Sequence, residues 1–231
     1  MKRFWTHSAP TLQGEFYTVL LDGRPVKLPS GAALKVPFAR LAVAIAEEWA
    51  ATGPIFTPDD LPLTQLVCTA HERVALHRQE IINSLVAYGL NDLLCYRADS
   101  PPALVARQHA EWDGWLSWVE AVHGIGLITT NGLMPVNQLP WTENKLAALL
   151  ARQTDYELAA LGVLIPALGS FVLGLAAAQG ALSAEKACTT AALDELWQAE
   201  QWSEDPEETS RRRTLLMDVK NTVHFLTLVK G

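Results

Sequence analysis

Cysteine is scarce in this sequence: Cys68, Cys95 and Cys188 are the only three, and no two of them form a CxxC. An odd, widely spaced set argues against a disulfide framework or a zinc knuckle and for reduced thiols in a cytosol-like compartment. Histidine is equally thin. His7, His71, His77, His109, His123 and His224 include no i,i+4 pair, the spacing that puts two rings on one helix face to hold a metal. His109-Ala110-Glu111 imitates the HxE of a zinc deaminase, but no PCxxC follows. The chain also lacks a G-x-S-x-G elbow and a phosphate-binding G-x-x-x-x-G-K-[ST] loop. Gly124-Ile125-Gly126 stops short of a dinucleotide loop. The expectation is a protein with no catalytic residue, no metal and no cofactor.

Positive charge is also in short supply. The formal net charge is -7, and the one dense basic stretch is Arg211-Arg212-Arg213. A duplex-binding protein needs a cationic stripe. This triplet follows Glu207 and Glu208, so Glu207/Arg211 and Glu208/Arg212 pair at i,i+4 as a solvated helix face. No nucleic-acid partner is expected. The opening Met-Lys-Arg-Phe-Trp has neither an apolar signal core nor an Arg/Ser-rich presequence. The expected compartment is the cytoplasm of a bacterium, or the mitochondrial matrix for a processed eukaryotic chain.

One long uncharged run, Leu158 to Ala178, has the length of a membrane span. It contains Gly162, Pro166, Gly169 and Gly174, and it lacks a basic flank. The preferred reading is two core helices broken before Pro166, without stable membrane insertion; a single-pass span is the minor alternative.

Apolar residues make up 49% of 231, enough for a real core. The start reads as β-rich, with strands over Glu15–Leu21, Arg24–Leu28 and Ala33–Val36 separated by Asp22-Gly23 and Pro29-Ser30-Gly31 turns. Pro37 opens a helix that Gly53-Pro54 stops. After Thr57-Pro58-Asp59-Asp60 the period becomes 3.6. A helix to about Tyr88 carries Leu66, Ala70, Val74, His77, Ile81 and Leu85 on one stripe. Asp92–Arg97 reads as a short strand. Pro101-Pro102 opens a helix with the stripe Val105, Trp112, Trp115, Val119 and Val122. Turn residues around Asn131-Gly132 and Pro135 follow. Further helices span Trp141–Gln153, Ser183–Trp202 and Pro206–Val229. The fold class is α+β: a small β-plus-helix domain over residues 1–60 and an all-helical bundle over residues 61–231.

Two features stand out. Eight tryptophans are many for this length. Trp112 and Trp115 fall on the apolar stripe and read as core. Trp118, Trp197 and Trp202 lie off such stripes and are candidates for a binding surface, with partial burial against a neighbouring helix as the plainer account. The second feature is Asp194-Glu195-Leu196-Trp197-Gln198. On one continuous helix, Ala187, Cys188, Ala191, Glu195 and Gln198 share a face, so Glu195 would turn inward and need a basic partner or a groove. A structural ion pair and a functional role stay open. So does a small-molecule enzyme using Glu195 or Cys95 in a pocket of the helical bundle.

Several strings in order resemble the F1 ATP synthase assembly chaperones specific for the alpha subunit, found in mitochondria and alphaproteobacteria. They are Leu21–Lys27 (LDGRPVK), Glu47-Glu48-Trp49, Leu61–Thr64 (LPLT), Asp92–Ala98 (DLLCYRA), Met134-Pro135-Val136, Gly169-Ser170, Asp194-Glu195, Trp197-Gln198 and Trp202. The sequence departs from the pattern at Leu28, Gln65, Cys68, Leu196 and Ser203. The resemblance implies a non-enzymatic chaperone with an amino-terminal β-containing domain and a carboxy-terminal orthogonal helical bundle. Its expected partner is the F1 alpha subunit. Trp49, Asp194, Glu195, Trp197, Gln198 and Trp202 are the candidate partner-binding residues. Self-association is left open.

Overall fold

The computed structural model describes residues 1–132, 136–202 and 206–230. The Met134-Pro135 pair, the expected turn at Pro135, Ser203, Glu204 and Asp205 lie outside the described residues. The protein is α+β, as expected: an antiparallel sheet of order β1-β2-β3 comes first, and a helical region follows. The chain forms two compact units. One comprises Met1–Arg78 with Asp155–Ala160 and Asn221–Gly231, the other Gln79–Thr154 with Leu161–Lys220.

In the first unit, β1 (Ser8–Gln13) pairs with β2 (Phe16–Leu21), which pairs with β3 (Arg24–Pro25). The Asp22-Gly23 turn has positive φ at both residues, 46° and 81°, which suits a tight hairpin. β1 carries no strand signal in the sequence because Pro10 interrupts it. As an edge strand it tolerates a residue that cannot donate to a ladder. The second expected strand shrinks to Arg24–Pro25, and Ala33–Val36 makes only isolated bridges, Lys27 to Ala33 and Tyr17 to Val36. Helix α1 (Ala39–Ala51) buries Leu41, Ala42, Ile45 and Ala46.

The expected single helix through Tyr88 is broken. A 3-10 turn (Pro58–Asp60) precedes α2 (Pro62–Cys68), a π-helical segment (Thr69–Val74) follows, and α3 (Ala75–Leu90) has a non-helical residue at His77. A π turn inserts an extra residue and rotates everything beyond it. The buried stripe Leu66, Ala70, Val74 therefore resumes at Ile82, Leu85, Val86 and Gly89, leaving His77 exposed and Ile81 half-buried. The first unit is completed by Tyr156, whose ring packs edge-on against Phe38 at 5.2 Å and His71 at 5.6 Å.

In the second unit Asp92 opens a 3-10 turn (Leu93–Cys95), so the expected strand is only β4 (Tyr96–Arg97), paired in parallel with β5 (Thr130–Asn131). Helix α4 (Pro102–His123) buries Gln108, Trp112 and Val119. Trp115 is half-buried and Val122 exposed, so the expected stripe is wrong at those positions. Helix α5 (Thr142–Ala151) follows. The uncharged run becomes α6 (Asp155–Leu168) and α7 (Phe171–Ala178). The break falls at Gly169-Ser170 rather than before Pro166. Proline 166 sits inside α6, whereas Gly169 adopts φ 62° as a helix-ending residue and Ser170 caps α7 by accepting from Leu173 N. Among the described residues no helix is long and apolar enough to cross a membrane.

The expected Ser183–Trp202 helix divides into α8 (Ala184–Ala191) and α9 (Leu193–Trp202), before α10 (Pro206–Val229). Ala184, Ala187, Thr190 and Leu193 are all buried. Three-residue steps lag by about 60° each on an α-helix, so an unbroken helix would point Leu193 about 180° away from Ala184. The break at Ala192 lets both face inward.

Candidate functional site

That break also decides where Glu195 points. Its carboxylate does not follow Ala187 inward; its side chain keeps 44% of its surface exposed and pairs with Arg211 of α10 at 2.9 Å. Burial of the carboxylate is thus a failed expectation, while the basic partner is real. Arg211 reaches across 16 residues to α9. Arg212 keeps its local neighbour, with Nη1 3.8 Å from Glu208.

Helix α9 divides the candidate residues by face. Asp194 turns to α4 and accepts from Gln108 Nε2 at 2.8 Å. Gln108 is itself buried and accepts from Ala98 N at 2.9 Å, so its amide links the loop after β4 to α9. One turn on, Trp197 is half-buried, and the Arg107 guanidinium lies over its ring at 5.9 Å. Arg107 also donates to both oxygens of Glu200 at 2.8 Å. Next to this seam, Trp112 donates from its indole to Thr190 O at 2.9 Å. Glu195 and Trp202 stand on another side of the helix. Seven residues apart, they fall within about 20° of one another around the axis. Gln198 is exposed between the two faces, and Trp202 is 78% exposed.

Trp49 belongs to the first unit and is tied in by its own neighbours. Its indole donates to Thr64 Oγ1 at 3.0 Å, and its ring packs edge-on against Trp5 at 5.0 Å and Phe56 at 5.9 Å. The preceding residue, Glu48, accepts from Leu63 N at 2.6 Å and from Thr64 N at 3.0 Å, so a side chain of α1 caps the start of α2. Burial pushes the Glu48 carboxyl above the usual range against the pull of these bonds.

Sequence reasoning missed Arg107 and Gln108 as the partners of Trp197 and Asp194. They lie 86 to 93 residues from Asp194 and Glu200, beyond any local pattern. Trp118 packs edge-on against Trp115 and His123, so it is half-buried rather than a free surface anchor. Cys95 is buried and its thiol is pushed up to about 12 by burial, which removes nucleophilic character near neutrality. Among the described residues no group of three or more metal-binding side chains converges.

Half the chain, residues 2–120, matches the family model described as ATP12 chaperone protein. The chain belongs to the ATP12 chaperone family. Mitochondrial Atp12 of Schizosaccharomyces pombe is 27% identical over 221 residues, covering 90% of this chain and 76% of that protein. The likeness extends to solved structures. Atp12 from Paracoccus denitrificans superposes with a TM-score of 0.93 at 36% identity, covering 99% of this chain and 98% of that one. A protein from Agrobacterium tumefaciens gives the same score and identity over 98% of this chain and 85% of its own. ATP12 relatives thus occur in bacteria and in mitochondria, and the family role is that of a chaperone, not an enzyme.

Proposed function

We propose that this chain is an assembly chaperone for the F1 head of ATP synthase, which holds the free alpha subunit and masks its beta-facing surface until the ring is built. Membership of the ATP12 chaperone family supports the assembly role. The observation that carries the binding role is the exposed face of α9, where an ion-paired carboxylate, Glu195, and a solvent-facing indole, Trp202, line up one above the other. Large exposed aromatics are the usual anchors of protein interfaces, and a rim charge beside one fixes orientation. Gln198 adds an exposed hydrogen-bonding amide at the edge of this face, while Asp194 and Trp197 hold the helix to α4.

The physical need is plain. An unassembled alpha subunit exposes apolar surface that its neighbour will cover, and such surface aggregates. A protein that binds this face lowers the aggregating population by mass action and then yields to the beta subunit. The setting that goes with this role is the bacterial cytoplasm or the mitochondrial matrix. The pocket-enzyme alternative finds no footing, because Cys95 is buried and Glu195 is a half-exposed partner of Arg211.

Co-expression with the F1 alpha subunit of the same organism tests the reading. A specific complex that keeps alpha soluble and dissolves on adding beta is the expected outcome. Alpha that stays insoluble with no complex would overturn it.

A further inference from the structure

Along α1, Ala44, Glu47, Glu48 and Ala51 recur at i, i+3, i+4 and i+7, so they share one face over two turns. In the first unit this face walls an open cleft of about 510 Å³, closed on other sides by Ile55, Leu63 and the α10 residues Asn221 and His224. That volume is within the range of ligand-sized pockets, about 300–1,000 Å³. Its chemistry is two-sided. Alanines 44 and 51 and Leu63 supply apolar wall, and Ile55 stands at the rim with 79% of its surface exposed.

The carboxylates that line it are those of Glu47, Glu48 and Asp60. Glu48 and Asp60 are partly committed, Glu48 to the start of α2 and Asp60 to Thr57 N at 2.8 Å. Glu47 is different: it is exposed and, among the described residues, has neither hydrogen bond nor ion pair. The end of α1 nearby presents its carbonyls, the negative end of the helix dipole. The protein's own Arg3 already donates there, to Ala50 O at 3.1 Å and Thr52 O at 2.7 Å. A guanidinium is thus a group that this corner accommodates.

We propose that the cleft docks a cationic side chain, arginine or lysine, carried on an extended segment of a partner polypeptide. The aliphatic stem of such a residue lies along the alanine wall while its head reaches Glu47, the division of labour that long basic side chains adopt at mixed surfaces. An acidic or phosphorylated segment would meet three carboxylates and be repelled. The proposal rests on the chaperone reading only for the identity of that polypeptide; cation binding stands apart from it.

The test titrates the full chain with the acetylated, amidated tripeptide Leu-Arg-Leu and follows backbone amide shifts by NMR, with Leu-Glu-Leu as control. Shifts centred on Glu47, Ile55 and His224 are expected with the arginine peptide and none with the glutamate peptide. Glu47→Lys, at an exposed site where the fold is kept, should weaken the response about tenfold or more, with circular dichroism unchanged. No response, or one indifferent to Glu47→Lys, overturns the proposal. Alpha-subunit capture without a peptide response likewise rejects the cleft and leaves the chaperone reading intact. A Glu47-dependent peptide response without alpha capture supports the cleft and rejects alpha as the client.

Discussion

The Arg211 guanidinium donates to Glu195 at 2.9 Å, joining α9 to α10 across a pair of side chains that both remain well exposed, 65% and 44%. An exposed pair of this kind contributes little to folding, about 0–1 kcal/mol, because water screens it and two long side chains lose freedom. Its geometry nevertheless fixes where the carboxylate stands relative to Trp202. The recognition role proposed for Glu195 can therefore be tested without unfolding the protein.

Replacing Glu195 with Gln should shift unfolding by less than about 1 kcal/mol yet lower the yield of alpha subunit captured on co-expression. Urea denaturation and co-purification measure the two effects. Full capture by the variant would take Glu195 out of the binding surface.

Trp49 should behave in the opposite way. Trp49→Ala removes ring contacts with Trp5 and Phe56 as well as the bond to Thr64, and is expected to cost about 2–4 kcal/mol for this half-buried ring. Trp49→Phe keeps a ring and gives up the donor, with a loss nearer 1 kcal/mol. If capture of alpha falls in step with stability across the two variants, Trp49 acts through the fold. A capture defect in Trp49→Phe at nearly native stability would instead mark the indole as a contact.

Asp92 gives the fold a built-in pH dependence. Its carboxylate is fully buried, accepting from Ser170 Oγ at 2.9 Å, Val172 N at 3.0 Å and Leu94 N at 2.9 Å. Burial outweighs these bonds and raises it from 3.8 to about 6. A folded-state value above the unfolded one means stability that is fully present below about 4 and lost as pH rises through about 6, amounting to about 3 kcal/mol. Urea midpoints should therefore decline from this group alone between those pH values. Asp92→Asn is expected to be less stable throughout and to lack that segment of the profile; an unchanged profile in the variant would refute the assignment.

Two glycines of the uncharged run should respond with opposite signs. A Cβ on Gly174 would meet Ile165 Cγ1 at 2.7 Å and Ile165 backbone at 3.0 Å, so Gly174→Ala forces α6 and α7 apart and should cost about 1–3 kcal/mol. A Cβ on Gly162, within α6, meets nothing within 4 Å, and Gly162→Ala should gain about 0.5–1 kcal/mol from helix propensity. Thermal unfolding of both variants checks the pair.

The local signals in the sequence account for much of this architecture. Asp22-Gly23, Pro102, Pro206 and the capping residue Ser183 act within a single turn of backbone, so their effects are legible from neighbours alone. The misreadings share a cause. The π segment at Thr69–Val74 and the break at Ala192 have no glycine or proline to announce them; they exist because apolar residues beyond each must be turned to face the interior. The strand β1 was hidden by Pro10, whose missing donor matters only if the strand is central, and that is a property of the finished sheet.

The candidate site was half legible. The sequence singled out Glu195, Trp197 and Trp202 by residue type, and the family likeness rested on a run of short motifs along the chain. Most of the helices, the Asp22-Gly23 turn and the residue types suited to binding can be read along the chain, because backbone propensity and apolar period are local properties. The pairing of Arg211 with Glu195, of Gln108 with Asp194 and of Asp92 with the start of α7 arises only in the folded chain. Local ion pairs on a helix contribute only about 0.2–0.5 kcal/mol, too little to dictate a partner. Proximity created by packing the apolar faces settles that choice instead.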